Sequence, residues 1–359
     1  MKHLFYIHNF ISYIVSISII KYKKIDINHV IFIYGRHFNI NESDTYKVIR
    51  LQQQLIDLSQ IPSYGEKFLL FKKIRSILKF NALLIKLMEN KEFIAYLPAI
   101  NNYLLNLIAT NKLCRGIVFI EEGLLTYRGD FFKAQRLPSN VRERMRMLLS
   151  YPNHLGHSLS RISFPYPFPV PVYTLFQELA SDARIEVHVL PEVVVPAIAN
   201  EFLIDGACLL LIDPVVEWGI VTMETLLSAI EELLDSFDSH SCAHLWLRFH
   251  PVKTDEEVMT GVLDLIGRKS LPFGILPKDV CVEAILLNCA NLKVYGFHSS
   301  LLFYASLWGH GSYSLIATLE RLDPHVAKKY STLRIPDVFF RKVQMWDRSH
   351  TDTRKPRCQ

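Results

Sequence analysis

Three short groups of residues in this 359-residue chain have types and spacings that could do chemistry. Glu121-Glu122-Gly123 closes the apolar run GIVFI. Neighbouring residues on a strand point to opposite faces, so one carboxylate can enter a site while the other turns to backbone or a loop. A carboxylate at an apolar strand end can have a raised pKa and serve as general base. His250-Pro251 closes a second apolar run, with Arg248 two residues earlier on the same face. Imidazole and guanidinium together make a clamp for phosphate. Gly296-Phe297-His298-Ser299-Ser300 leads from a third apolar run into a helical stretch. Serines at a helix start offer hydroxyls and backbone N–H groups to a phosphate. Each group also has a plainer reading: a solvated strand end, a buried histidine before a rigid turn, and an ordinary N-cap. The order of the three is more specific than any one alone.

The elements that must position these residues read as alternating strands and helices. Residues 4–20 are an uncharged run between Lys2 and the lysines at 21, 23 and 24, at the short limit for a membrane span. The better reading is a strand (LFYIH), a turn at Asn9 and a helix over 11–20, followed by the strand VIFIYG. That is a β-α-β opening. Residues 45–112 read as mostly helical, and a basic helix over 139–149 carries Arg142, Arg144 and Arg146. Pro165, Pro167, Pro169 and Pro171 predict an extended connection, since proline at every second position suits neither a helix nor a central strand. A strand over 185–190 and a linker around 191–200 follow. The α/β pattern then restarts, with strands in ACLLLIDP, AHLWLRFHP, FGILP and LKVYGF and helices between them.

The fold class is therefore α/β, with two Rossmann-like domains and a cleft between them. Residues 1–195 are expected to form the N-terminal domain, 196–320 the C-terminal domain, and 321–359 a basic tail. In such folds ligands bind at the carboxyl ends of the parallel strands, where the three groups stand.

Composition limits the alternatives. Half the residues are hydrophobic and 21% are charged, which excludes a disordered chain. A net charge of +5 does not indicate a nucleic-acid binder. The cysteines at 114, 208, 242, 281, 289 and 358 include no C-x-x-C pair, so neither a disulfide scaffold nor a structural zinc is expected. A reducing compartment is the default.

Glu121-Glu122-Gly123, His250-Pro251 and Ser299-Ser300, together with the stretch VYGFHSSLLFYAS, resemble the bacterial sialyltransferases and polysialyltransferases of GT-B type. The resemblance spans residues 1 to about 310. It implies inverting, metal-independent transfer of sialic acid from CMP-N-acetylneuraminic acid to a hydroxyl of a cell-surface glycan, lipopolysaccharide or capsule. The sequence has no Asp-x-Asp, the usual metal-nucleotide signature of the other large glycosyltransferase fold. By resemblance, Glu121 is the general base, with Glu122 the fallback. His250, Ser299 and Ser300 take the CMP phosphate, Glu283 the ribose hydroxyls, and Pro277, Lys278 and Gly296 shape the cytidine pocket. No cofactor and no metal are expected.

Two other readings stand beside this one. A Kdo or polyol-phosphate transferase has the same layout and also uses histidines at the phosphate. A non-catalytic, membrane-associated assembly protein would fit the apolar N-terminus and the basic end of the chain. From Lys328 onward there are nine Lys or Arg against three Asp or Glu, among them Arg341, Lys342, Arg354, Lys355 and Arg357. Such a tail could touch anionic lipid, so the expected place is the cytoplasm or the inner face of its membrane.

Overall fold

The structure, a computed structural model, describes residues 1–35, 47–50, 69–100, 103–128, 131, 170–178, 185–237, 242–251, 254–269 and 271–347. The chain divides into two compact units, Met1–Val194 and Val195–Gln359.

The first unit is built on a seven-stranded sheet. Its strands are β1 (Lys2–Ile7), β2 (Val30–Tyr34), β3 (Lys47–Arg50), β4 (Phe93–Leu97), β5 (Cys114–Ile120), β6 (Val170–Thr174) and β7 (Ile185–Val189). Their spatial order is β3-β2-β1-β4-β5-β6-β7, and every pairing is parallel. Helices α1 (Phe10–Tyr22), α2 (Leu69–Met88) and α3 (Tyr103–Thr110) belong to this unit. The N-terminal apolar run is thus β1 and α1. All ten residues at 11–20 are buried, so α1 is a core helix enclosed on every side. Its serines are satisfied within the unit. The Ser12 hydroxyl donates to the Asn9 carbonyl at 2.8 Å, Ser16 to the Ser12 carbonyl at 2.6 Å, and Ser18 accepts the Val194 N–H at 2.8 Å. Asn9 caps the helix, accepting the Ser12 N–H at 2.9 Å. Among the described residues no helix is long and apolar enough to cross a membrane.

The second unit repeats the plan. Strands β8 (Cys208–Ile212), β9 (Leu245–Phe249), β10 (Phe273–Ile275), β11 (Lys293–Gly296), β12 (Gly311–Ser314) and β13 (Gln344–Met345) form a parallel sheet in the order β10-β9-β8-β11-β12-β13. Helices α4 (Met223–Asp235), α5 (Glu256–Gly267), α6 (Val282–Asn288), α7 (Ser300–Leu307), α8 (Ile316–Leu322), α9 (His325–Ser331) and α10 (Asp337–Lys342) complete it. In each sheet the first strand lies beside the fourth, with the second and third strands on its other side. This is the Rossmann order, and its switch points fall between β1 and β4 and between β8 and β11. Two Rossmann-like units in one chain are the make-up of the GT-B class.

The sequence expectations hold for most strands and fail at three places. The stretch 45–112 contains β3 and β4 as well as helices. Pro171 lies inside β6, which has a neighbour on each side. The β5–β6 register begins only at Phe119↔Val172, so the proline that lacks an N–H stands one residue before that ladder. The tail expected from 321 begins with packed structure. Val326, Tyr330, Val338, Phe339 and Trp346 are buried, and β13 pairs with β12. The expected helix over 139–149, Pro165, Pro167 and Pro169, and Arg354, Lys355 and Arg357 lie outside the described residues.

Candidate active site

In the first unit the acidic pair directly follows β5. Glu121 is fully buried, and its Oε2 accepts the Leu175 N–H from the end of β6 at 2.7 Å. The Glu121 N–H donates to the Tyr173 carbonyl at 3.0 Å. Tyr127 is buried beside it; burial first, and then the Glu121 charge, hold that phenol well above its ordinary pKa. Glu121 therefore ties β5 to β6 and turns away from solvent.

Glu122 has the opposite situation. Its side chain is half-buried. Its N–H donates to Thr126 Oγ1 at 3.1 Å, and its carbonyl accepts from Asn9 Nδ2 at the start of α1. Both ends of its peptide frame are fixed, one from the turn that follows and one from the N-cap of α1. Gly123 then takes φ 139° and ψ −165°, a region open essentially to glycine alone. The glycine of the motif is thus required by the turn that displays Glu122. The sequence expectation that Glu121 enters the site is corrected here. Strand alternation does separate the two, but it is Glu121 whose carboxylate is bound to backbone.

In the second unit the motif residues stand at the ends of β8, β9 and β11. His250 follows β9, its N–H donating to the Ile212 carbonyl at 3.1 Å and its carbonyl accepting from Thr254 Oγ1 at 3.0 Å. The ring is half-buried, and Pro251 is exposed at the strand's end. Arg248 does not join it as a phosphate clamp. The buried guanidinium donates to the carbonyls of Leu276 at 3.5 Å, of Pro277, and of Lys278 at 3.0 Å. Burial lowers its pKa, against the charges of Glu283, Cys281 and Asp279. Its role is to hold the loop after β10, on which Pro277 and Lys278 are exposed.

Glu283, in the first turn of α6, is buried rather than an exposed helix residue. Burial raises its carboxyl pKa, and the nearby Arg248 charge partly opposes this. Gly296 ends β11, where a Cβ would stand 3.0 Å from Leu211 Cβ and 3.3 Å from the Leu211 carbonyl. A side chain here would press β11 away from β8 by a few tenths of an ångström, and glycine avoids this. Ser299 caps α7, its hydroxyl oxygen accepting the Leu301 N–H at 3.3 Å. The plain N-cap reading is thus realised, and it leaves the Ser299 hydroxyl proton and the Ser300 hydroxyl at the helix start.

Sequence reasoning assigned no role to four residues at this end of the sheet. Asp213, one residue beyond β8, is buried, and its Oδ2 accepts the N–H groups of Phe297 and His298 at 3.2 and 3.0 Å. Trp218 follows in the same turn, and its ring neighbours His250 and His298; Tyr330 of α9 packs against His298. The available signal was Asp213-Pro214 closing the apolar run CLLLI, with a tryptophan four residues later. Among the described residues, no group of three or more His, Cys, Asp or Glu is arranged to hold a metal ion.

A model of the family described as alpha-2,8-polysialyltransferase (POLYST) matches residues 3–311. No curated protein sequence matches the chain. Among solved structures the chain is similar to MurG of Acinetobacter baumannii, at 10% identity over 98% of this chain and 99% of that one, with a TM-score of 0.37. It is similar to UDP-GlcNAc 2-epimerase from Methanocaldococcus jannaschii, at 12% identity over 88% and 84%, with a TM-score of 0.44. It is also similar to WaaG, a glycosyltransferase involved in lipopolysaccharide biosynthesis, at 12% identity over 98% and 96%, with a TM-score of 0.41. Likenesses this distant carry no weight for function. The family match does, because it runs through both Rossmann-like units and all three motif groups, and on it the chain belongs to the alpha-2,8-polysialyltransferase family, a family of sialyl-transferring glycosyltransferases.

Proposed function

We propose that the chain transfers sialic acid from CMP-N-acetylneuraminic acid to a hydroxyl of a cell-surface glycan, with inversion and without a metal ion. The observation that carries this reading is positional. Within their own units, Glu122 follows β5, His250 follows β9, and Ser299 and Ser300 follow β11, all at carboxyl ends of parallel strands.

In this mechanism the bond between the anomeric carbon and the phosphate oxygen breaks, and its electron pair leaves with CMP. The acceptor oxygen bonds to the opposite face of the same carbon, and its proton passes to Glu122 as general base. Negative charge grows on the phosphate, so donors fixed there favour the transition state over the ground state. His250, Ser299 and Ser300 are assigned that role. Arg248 acts one step back, by shaping the loop with Pro277 and Lys278 against cytidine. Glu283, whose carboxyl pKa is raised by burial, is assigned to the ribose hydroxyls. A single phosphate monoester carries less charge than a diphosphate, which suits a site of neutral donors and imidazoles.

The basic end of the chain is assigned a peripheral contact with anionic lipid, through Arg341 and Lys342 and the residues beyond. Salt-sensitive cosedimentation with phosphatidylglycerol vesicles, absent with phosphatidylcholine, tests that part.

The test of the main reading is mass spectrometry of products from CMP-sialic acid and a panel of galactosides and sialosides. Products longer by one or more sialyl residues are expected. Product formation from CMP-Kdo but not from CMP-sialic acid would overturn the donor.

A further inference from the structure

The switch point of the second unit carries a cluster that the mechanism above leaves without a role. Trp218 neighbours two imidazoles. Its ring centroid is 6.4 Å from that of His250 at an interplanar angle of 66°, and 5.3 Å from that of His298 at 44°. Tyr330 meets His298 edge-on, with centroids 5.5 Å apart at 79°.

The backbone under this cluster is held from several sides. Asp213 Oδ2 takes the N–H groups of Phe297 and His298, which ties the end of β8 to the turn after β11. Lys329 Nζ donates to the Gly219 carbonyl at 2.8 Å, and the Ile220 N–H donates to the Val215 carbonyl at 2.9 Å, so the turn bearing Trp218 is fixed as well. Trp218 itself is 40% exposed, and His250 and His298 are each half-buried rather than enclosed.

Two atoms in this arrangement lack a hydrogen-bond partner, the Tyr330 hydroxyl and one ring nitrogen of His298. His298 Nδ1 is buried and makes no hydrogen bond among the described residues. An unpaired buried polar group destabilises a fold. Such an atom, at the switch point of a Rossmann sheet and beside a second imidazole, points to a ligand with acceptor oxygens.

We propose that His298 is a second imidazole of the donor site, which with His250 grips the phosphate monoester beside Trp218. Asp213 is the positioning residue, because it sets the backbone from which His298 projects. Trp218 neighbours both rings and so shares the surface that they present. This inference rests on the reading of the second unit as the CMP-binding unit.

The experiment compares CMP with cytidine, ligands that differ by the phosphate alone. Calorimetry on the full-length chain is run for the wild type, His250→Asn and His298→Asn. The wild type is expected to bind CMP more tightly than cytidine. His298→Asn is expected to weaken CMP about tenfold, the loss of one charge-assisted hydrogen bond, with cytidine unchanged. Equal weakening of CMP and cytidine would mean a structural role and overturn the proposal. If His250→Asn weakens CMP while His298→Asn binds it like the wild type, the second imidazole is wrong and the donor reading stands. A wild type that binds neither ligand overturns both.

A second measurement covers the case in which His298→Asn does not fold. In protein labelled with 13C at histidine, two imidazole Cε1–H resonances are expected to move with CMP and not with cytidine. One of the two should be missing in His250→Asn. A single responding resonance overturns the proposal.

Discussion

The carboxylate of Glu121 accepts the backbone N–H of Leu175 at 2.7 Å, and this one bond separates the roles of two adjacent glutamates. Glu121 joins β5 to β6 from inside the unit. Glu122, held by its backbone between Asn9 and Thr126, is the half-buried member of the pair. A general base has to reach the proton that it removes, so geometry ranks the two before any argument from pKa.

Glutamine at each position should therefore give different phenotypes. Glu122→Gln keeps shape and removes the base, so turnover should fall about 100-fold or more with little change in melting temperature. Glu121→Gln leaves one buried bond weakened and should lower stability by about 1–2 kcal/mol. Its effect on turnover should follow the folded fraction. Initial rates and urea midpoints on both variants check this. A folded Glu121→Gln protein with the larger loss of turnover would return the base to Glu121.

Arg248 gives a second separable effect. It contacts the carbonyls at 276–278 and not the ligand in this reading. Lysine has a single ammonium nitrogen in place of a planar fork, so Arg248→Lys cannot reproduce the spread of donors that reaches the carbonyls of 276–278. Stability should fall by about 2 kcal/mol, the scale of a lost charged hydrogen bond. Amide exchange should speed up around 276–280, and affinity should drop for both CMP and cytidine. A variant that loses affinity for CMP only, with unchanged exchange, would restore the phosphate-clamp reading.

Much of the fold could be read from the sequence because its strands are short apolar runs closed by Gly, Pro or a charge. CLLLI, LWLRF and KVYG could hardly be anything else between amphipathic helices. FIAYL at 93–97 was hidden because apolar residues on both sides continue a helical spacing, and only Pro98 marks the end of the strand. Pro171 misled for a different reason: a proline rule concerns hydrogen bonds, and sequence does not show that the β5–β6 ladder starts one residue later. At the site, the strand-end positions were legible, whereas the partners of each side chain were not. Arg248 sits on the expected strand, yet the loop that it serves lies about thirty residues further on, at 276–278. Asp213 and Trp218 were passed over because a lone acid and a lone tryptophan have no spacing to mark them.

Metal dependence tests the charge logic of the proposed site. If imidazoles and hydroxyls neutralise the leaving phosphate, activity should be unchanged after EDTA treatment and desalting. Added Mg²⁺ or Mn²⁺ should not raise the rate by more than about twofold, a change of under 0.5 kcal/mol in the barrier. Loss of activity in EDTA, with recovery on adding either ion, would overturn the metal-free mechanism.

Glu283 should make stability fall as pH rises. Its carboxyl is buried, and burial raises the folded-state pKa above the ordinary value of 4.5. The folded state then binds a proton more tightly than the unfolded state does. Stability from this group is full below the unfolded value, declines as pH rises above about 4.5, and levels off once pH passes the raised folded value. Arg248 opposes the shift without reversing it. Glu283→Gln removes the titration and keeps the shape. Relative to the variant, the wild type should therefore lose stability progressively from pH 4.5 upward, as read from urea midpoints between pH 4 and 8. A flat difference across that range would mean that Glu283 is ionised in the fold and acts toward the ribose as an acceptor only.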